Sequence, residues 1–307
     1  MERERSYQAL YRSGELGRRA QAARLRQQAC DLCGHGCGID RATRAGACRT
    51  GQQARLASAG PHHGEEDPLR GWRGSGTLFF GGCNLHCVYC QNHDISQRPA
   101  GPEVDAETLA AAMLGLQQAG CHNLNLVSPS HVVAEILEAL VVAAGRGLRL
   151  PLVYNTGGFD SPAALALLDG VVDIYMPDVK YADPAAARRY SHAADYVRVN
   201  RAALREMHRQ VGDLELDEEG LAVRGLLVRH LVLPGGLAGT ADVVRFLAQE
   251  ISPHTYLNLM AQYRPAYRAR EFPPLNRPLQ GQEYREALGL ARAAGLSRLD
   301  GLPSTRP

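Results

Sequence analysis

Between Thr77 and Met260 the chain repeats one unit: a short run of apolar β-formers, a polar loop, then a stretch with helical spacing. Strands are expected at 77–80, 123–127, 152–155, 172–176, 196–200, 226–233 and 256–260. Helices are expected at 104–120, 132–144, 162–168, 184–191, 201–211 and 240–250. Residues 213–223 alternate around Asp217-Glu218-Glu219-Gly220 and read as a small hairpin insertion. Strands alternating with helices build a parallel sheet with right-handed crossovers. Six or so repeats, each with polar residues after the strand, point to an α/β fold: an open (β/α)6-type partial TIM barrel. Chemistry in such folds collects at the C-terminal ends of the strands.

The first of those ends reads Gly81-Gly82-Cys83-Asn84-Leu85-His86-Cys87-Val88-Tyr89-Cys90, a CxxxCxxC spacing. Three thiolates can hold three irons of a cubane 4Fe–4S cluster and leave the fourth iron open for a small molecule. The paired glycines let backbone come close to a bulky inorganic group. A structural zinc ion would want a fourth protein ligand, and a disulfide would want an oxidising compartment.

Upstream, Cys30, Cys33, Cys37 and Cys48 fall in a Gly-rich segment with almost no core of its own. Four thiolates satisfy a closed metal site, which would staple such a segment. Zinc, iron and a second cluster all remain open, and His35 is an alternative ligand. Residues 6–28 have helical spacing with an arginine-rich solvated face, a better reading than a nucleic-acid arm. The 307 residues thus divide into a helical and four-cysteine segment (1–60), a linker (61–76), the partial barrel (77–295) and a C-terminal tail (296–307). With a net charge of +2, a polar N-terminus and no apolar run long enough for a membrane span, the expectation is a cytoplasmic protein without membrane or nucleic-acid partners. In a reducing compartment the cysteines read as metal ligands, with Cys121 a buried free thiol.

Other strand ends carry groups suited to a charged nucleoside ligand: Ser128-Pro129-Ser130-His131, Asn155-Thr156, Asp178 and Lys180, and Arg229-His230. Lysine and arginine suit a carboxylate, and Asp or Asn suits ribose hydroxyls. Tyr89 is placed to lie beside an adenine. Lys180 is the single lysine of the chain. Glu206-Met207-His208-Arg209-Gln210 and Gln262-Tyr263-Arg264 are dense in polar groups and are candidates for a substrate cleft.

The cysteine triplet resembles the signature of the radical S-adenosylmethionine (SAM) superfamily. Tyr154-Asn155-Thr156-Gly157-Gly158-Phe159, Asp178-x-Lys180 and Arg229-His230-Leu231-Val232-Leu233-Pro234-Gly235 are similar to strand ends of glycyl-radical-enzyme activating enzymes, the pyruvate formate-lyase activase type. From about Cys30 to Gly295 the chain resembles an activase-related set with a four-cysteine N-terminal segment. The resemblance implies that Cys83, Cys87 and Cys90 hold the cluster and that SAM chelates its open iron. Reductive cleavage then yields a 5′-deoxyadenosyl radical that removes hydrogen from a substrate. It implies an external one-electron reductant such as flavodoxin or ferredoxin, and a protein substrate if the chain is an activase. It assigns Lys180 and His230 to SAM. Arg229 is the weaker candidate of its pair, because neighbours on a strand face opposite ways. A monovalent cation site would map to Asn155, Thr156 and the Met176 carbonyl, although Asn155 stands where an acidic ligand is expected. The Gly-Gly-Glu that holds the methionine amino group in many relatives is replaced by Ser128-Pro129-Ser130. That leaves backbone carbonyls or the Ser130 hydroxyl to accept the amine. Hydrogen abstraction needs no catalytic base, and none is assigned. The competing readings are radical modification of another peptide or small molecule, and a non-enzymatic iron–sulfur electron carrier.

Overall fold

The computed structural model describes residues 6–98 and 100–301. Among the described residues, nine strands form a mostly parallel sheet: β1 Ala54–His62, β2 Ser75–Phe80, β3 Glu103–Val104, β4 Leu124–Val127, β5 Leu152–Thr156, β6 Ile174–Pro177, β7 Glu215–Leu216, β8 Ala222–Leu231 and β9 Tyr256–Met260. Their order is β3-β1-β2-β4-β5-β6-β8, with β7 and β9 both paired to β8. Six strands, β2, β4, β5, β6, β8 and β9, run parallel, consistent with the expected partial barrel.

Local chemistry sets the helices between them. Asp105, Ser161 and Asp183 each accept a backbone N–H of the first turn that follows, and Pro162 and Pro184 open two of these helices with a preset φ. Alternation along the strands sends Leu78, Leu124, Leu126, Leu152 and Tyr154 outward into the helix-facing core. Val153, Ile174, Met176 and Leu227 point inward and pack around Leu69, which the helix Asp67–Arg70 inserts between them. The sheet curls. A flat sheet would hold β1 and β9 roughly 29 Å apart, six steps of about 4.8 Å. Yet Asn258 of β9 donates to Glu66 Oε1, four residues beyond β1, at 2.9 Å.

Three expectations change. Residues 196–200 are the first turns of a helix, Tyr196–Val211, and not a strand. Tyr196, Val199, Asn200, Ala203, Leu204 and Met207 line its buried face at helical spacing, so the β-branched pair of valines misleads. Residues 61–76 are not a loose connection. They hold the end of β1, the helix Asp67–Arg70 and the start of β2, with His62 paired to Ser75. The C-terminal segment is docked as far as described: Leu299 bridges Leu257 of β9, and residues 302–307 lie outside the described residues. The N-terminal helices run Ser6–Arg12 and Glu15–Arg26 and break at Gly14, which takes a left-handed φ of 73°.

Candidate active site at the strand ends

One cavity of about 370 Å³ opens at the C-terminal end of the sheet. Cys83, Cys87 and Cys90 line it together with Ser128, Asn155, Thr156, Asp178, Lys180 and Arg229. The loop carrying the cysteines follows β2. Gly82 adopts a φ of 83°, and a Cβ there would lie 2.6 Å from Thr50 Oγ1 and 2.8 Å from the Cys48 carbonyl, so only glycine fits. The Ser191 hydroxyl donates to Cys87 Sγ at 3.0 Å, Ser96 Oγ lies 3.2 Å from Cys90 Sγ, and the Leu85 N–H donates to Cys83 Sγ at 3.4 Å. Burial, then the charge of Cys87, pushes the Cys83 thiol up to about 12. Burial also raises Cys87, against the pull of Lys180. One buried and two half-buried thiols gathered on one cavity, with hydroxyl and amide donors aimed at sulfur, suit thiolates held by a metal better than free thiols.

Beside them stands a charged triad. Lys180 Nζ donates to Asp178 Oδ2 at 2.6 Å, and Arg229 Nε donates to Asp178 Oδ1 at 2.9 Å. Arg229 Nη2 also donates to Asn155 Oδ1 at 2.6 Å. Burial disfavours the Asp178 carboxylate, but Arg229 and Lys180 outweigh it and hold the carboxyl below its ordinary range. The triad's backbone is pinned by the helix Tyr196–Val211. Tyr196 Oη lies 2.9 Å from the carbonyls of Gly157 and Asp178 and accepts the Lys180 N–H at 3.1 Å. Asn200 Nδ2 donates to the carbonyls of Gly158 and Asp178 at 3.0 and 2.9 Å.

Residues 77–212 match the family described as the radical SAM superfamily. Over 274 residues the chain is also 30% identical to an uncharacterized protein of Methanocaldococcus jannaschii, covering 87% of this chain and 75% of that protein. The chain belongs to the radical SAM superfamily. As a radical SAM protein it implies a 4Fe–4S cluster, SAM and an external source of electrons, and the donor set described above fits them.

Several residues expected in this radical SAM site are elsewhere. His230 faces away from the cavity: its Nδ1 lies 2.6 Å from the Val179 carbonyl and its Nε2 3.0 Å from Thr240 Oγ1. Arg229, the neighbour on the other face, lines the cavity instead. Tyr89 packs its ring against Tyr181 and Tyr263 in an aromatic cluster and is not a cavity wall. The Ser130 hydroxyl is buried 2.9 Å from Thr156 Oγ1, while Ser128, at a φ of 59°, lines the cavity in its place. Asn155 and Thr156 do not stand ready as cation ligands. Asn155 accepts the Arg229 guanidinium, and Thr156 donates to Asp160 at 2.6 Å. Of the polar runs, Glu206 and Arg209 pair with each other on an outer helix face, and Tyr263 donates to the Leu275 carbonyl at 2.6 Å.

Sequence reasoning passed over His62, Gly64 and Glu65, which line the same cavity from the segment read as a linker. The double-acid pair Glu65-Glu66 between His-His and a short helix was the available signal.

The four-cysteine segment lies directly on the cluster loop. His35 Nε2 donates to the Asn84 carbonyl at 2.7 Å, and His86 Nε2 donates to the Ala47 carbonyl at 2.8 Å. Asn84 Nδ2 and the Gly34 N–H both donate to the Phe159 carbonyl. Within the segment, hydrogen bonds from the Cys30 N–H to Ile39 and from the Gly38 N–H to Cys30 close a loop. The N–H groups of Leu32 and His35 reach the sulfurs of Cys30 and Cys33. Among the described residues, no group of three or more His, Cys, Asp or Glu side chains stands arranged to hold a single metal ion. No helix among them is long and apolar enough to cross a membrane.

Proposed function

We propose that this radical SAM enzyme holds its 4Fe–4S cluster with Cys83, Cys87 and Cys90 and binds SAM against Lys180, Arg229, Asp178 and Asn155. The observation that carries this reading is the presence of all seven side chains on one cavity. When bound and reduced, the cluster supplies the electron that cleaves SAM to a carbon radical able to take hydrogen from a substrate. The chain's own residues bind and orient. Lys180 and Arg229 offer cations to the SAM carboxylate, and Asp178 keeps both in register between SAM visits. Asn155 and Asp178 carry acceptors for hydroxyls. Tyr196 and Asn200 fix the strand ends, and the aromatic cluster of Tyr89, Tyr181 and Tyr263 keeps water from the back of the cluster loop.

For the substrate, the reading supported by the resemblance of the strand-end runs is a glycyl-radical protein, with the chain as its activase. The cavity is at the low end of the range for one small ligand, so SAM and the reacting end of the hydrogen donor would share it closely. The second reading, a different peptide or a small molecule, shares that geometry.

The four cysteines Cys30, Cys33, Cys37 and Cys48 form, in this reading, a second and closed metal site. Support comes from the N–H groups aimed at Cys30 and Cys33 and from Gly46, beside which Cys37 and Cys48 sulfurs lie. It comes also from Arg41, a fully buried cation near Cys30 whose Nε has no hydrogen-bond partner and which would offset thiolate charge.

Anaerobic reconstitution, then reduction in the presence of SAM, tests the central reaction. 5′-Deoxyadenosine should form in the parent and fall to background in Cys87→Ser. Equal amounts in both would sink the assignment.

A further inference from the structure

The cavity has two chemically distinct ends. The cluster cysteines follow the end of β2, whereas His62 pairs with Ser75 at its start. At roughly 3.3 Å per residue the two ends of this strand are about 17 Å apart. His62, Gly64 and Glu65 therefore line the floor, opposite the cluster loop.

Glu65 is less firmly paired than three other acids of the interior. Asp160 accepts from Tyr154 and Thr156, Glu135 accepts from Gln27 and Arg24, and Asp178 is gripped by Lys180 and Arg229. The Glu65 side chain is only 8% exposed, yet its one ion-pair contact among the described residues is His62 Nδ1 at 3.4 Å. That is too long for a well-formed hydrogen bond. Its neighbours are also unmet. Both amide atoms of Asn125, which is 0% exposed, lack hydrogen-bond partners, as does Glu66 Oε2. Asn125 projects from the inner face of β4 beside Glu65. Buried polar groups left unmade cost about 1–3 kcal/mol each, so three such atoms packed behind the cavity-lining Glu65 call for a further partner. Burial, then the charge of Glu66, holds the Glu65 carboxyl above its ordinary range against the opposing pull of Arg229, and a bound cation would relieve the remaining cost.

We propose that the cavity floor is a subsite for a cationic nitrogen of the hydrogen donor, a primary ammonium held by Glu65 with Asn125 and Glu66. This rests on the radical SAM reading of the cavity and takes the second of the two substrate readings, a peptide or small molecule that carries an amine. The donor's ammonium sits at the floor, and the C–H it offers lies towards the cluster end. Arg229, hydrogen-bonded to Asp178 and Asn155 and also in the field of Glu65 and Glu66, would meet SAM's carboxylate on one side and border this subsite on the other.

Titration calorimetry on the cluster-loaded, unreduced, SAM-saturated protein tests this without turnover, using n-butylammonium, butyrate and 1-butanol as probes. The parent should bind n-butylammonium at least tenfold more tightly than either comparator. Glu65→Gln should erase the preference while leaving SAM affinity within about twofold, and Glu65→Asp should keep part of it. Iron content equal to the parent's shows that a variant is folded and loaded. No preference in the parent, or a preference that survives Glu65→Gln, overturns the proposal. Equal weakening of SAM itself also overturns it, by assigning Glu65 to SAM's own ammonium. Formation of 5′-deoxyadenosine by the parent on reduction reports separately on the reaction, so failure of the subsite and failure of the radical reading are told apart.

Discussion

The two cysteine-rich loops touch, yet they face opposite surroundings. Cys83, Cys87 and Cys90 open onto a cavity lined with a lysine, an arginine and an aspartate. Cys30, Cys33 and Cys48 are buried and Cys37 is half-buried, in a loop closed on itself by paired backbone hydrogen bonds. Three thiols beside a charged pocket leave a metal coordination position for chemistry. Four thiols gathered on one metal would leave none. The same residue type therefore serves reactivity in one loop and, in the proposed reading, cohesion in the other. The histidine contacts between them, His35 to Asn84 and His86 to Ala47, make the closed loop a wall of the open one.

The sharpest way to break this contrast is to remove thiols from each loop. Cys87→Ser is expected to abolish both the visible cluster absorbance and 5′-deoxyadenosine. Cys30→Ser/Cys33→Ser is expected to lose about one metal equivalent while the cluster absorbance of the other loop persists, with melting lowered by ~5 °C or more. Metal analysis and a melting curve check this, and unchanged metal content would refute the second site. Lys180→Ala comes next. Losing one charge-assisted contact costs about 1.5–3 kcal/mol, so the SAM Kd should rise about tenfold to a hundredfold with the cluster intact. An unchanged Kd would remove Lys180 from the SAM site. The smallest effect is expected at the seam. His86→Ala gives up its hydrogen bond to Ala47, worth about 1 kcal/mol, and should lower melting by about 2–4 °C while both metals stay bound. Metal loss from either loop would show the seam to be more than a wall.

The chain's pattern showed the parallel strands and placed the three cavity cysteines, Asn155, Asp178 and Lys180 on one site, because each lies at or just after a strand end and strand ends are local signals. Arg229 and His230 could not be separated that way. Alternation says that neighbours face opposite ways, and only the register of β8 says which faces in. Tyr89 and Ser130 failed for a related reason: polar tips near a cavity can equally be tied to buried neighbours, as the Ser130 pairing with Thr156 is. Helix 196–211 hid behind Val197 and Val199, whose local preference yields to the buried stripe that ends in Met207 and Val211. The Glu65-Glu66 pair was a weak signal at best, because only long-range pairing of β1 with β2 brings Glu65 onto the cavity.

The most direct test of the contrast is electron paramagnetic resonance of the reduced, reconstituted protein with and without SAM. SAM should shift the signal of a 4Fe–4S cluster in the parent and in Cys30→Ser/Cys33→Ser alike, and no such signal should remain in Cys87→Ser. A cluster signal that SAM leaves unchanged, or one that survives Cys87→Ser and responds to SAM, would contradict the assignment of the open iron to the Cys83–Cys90 loop.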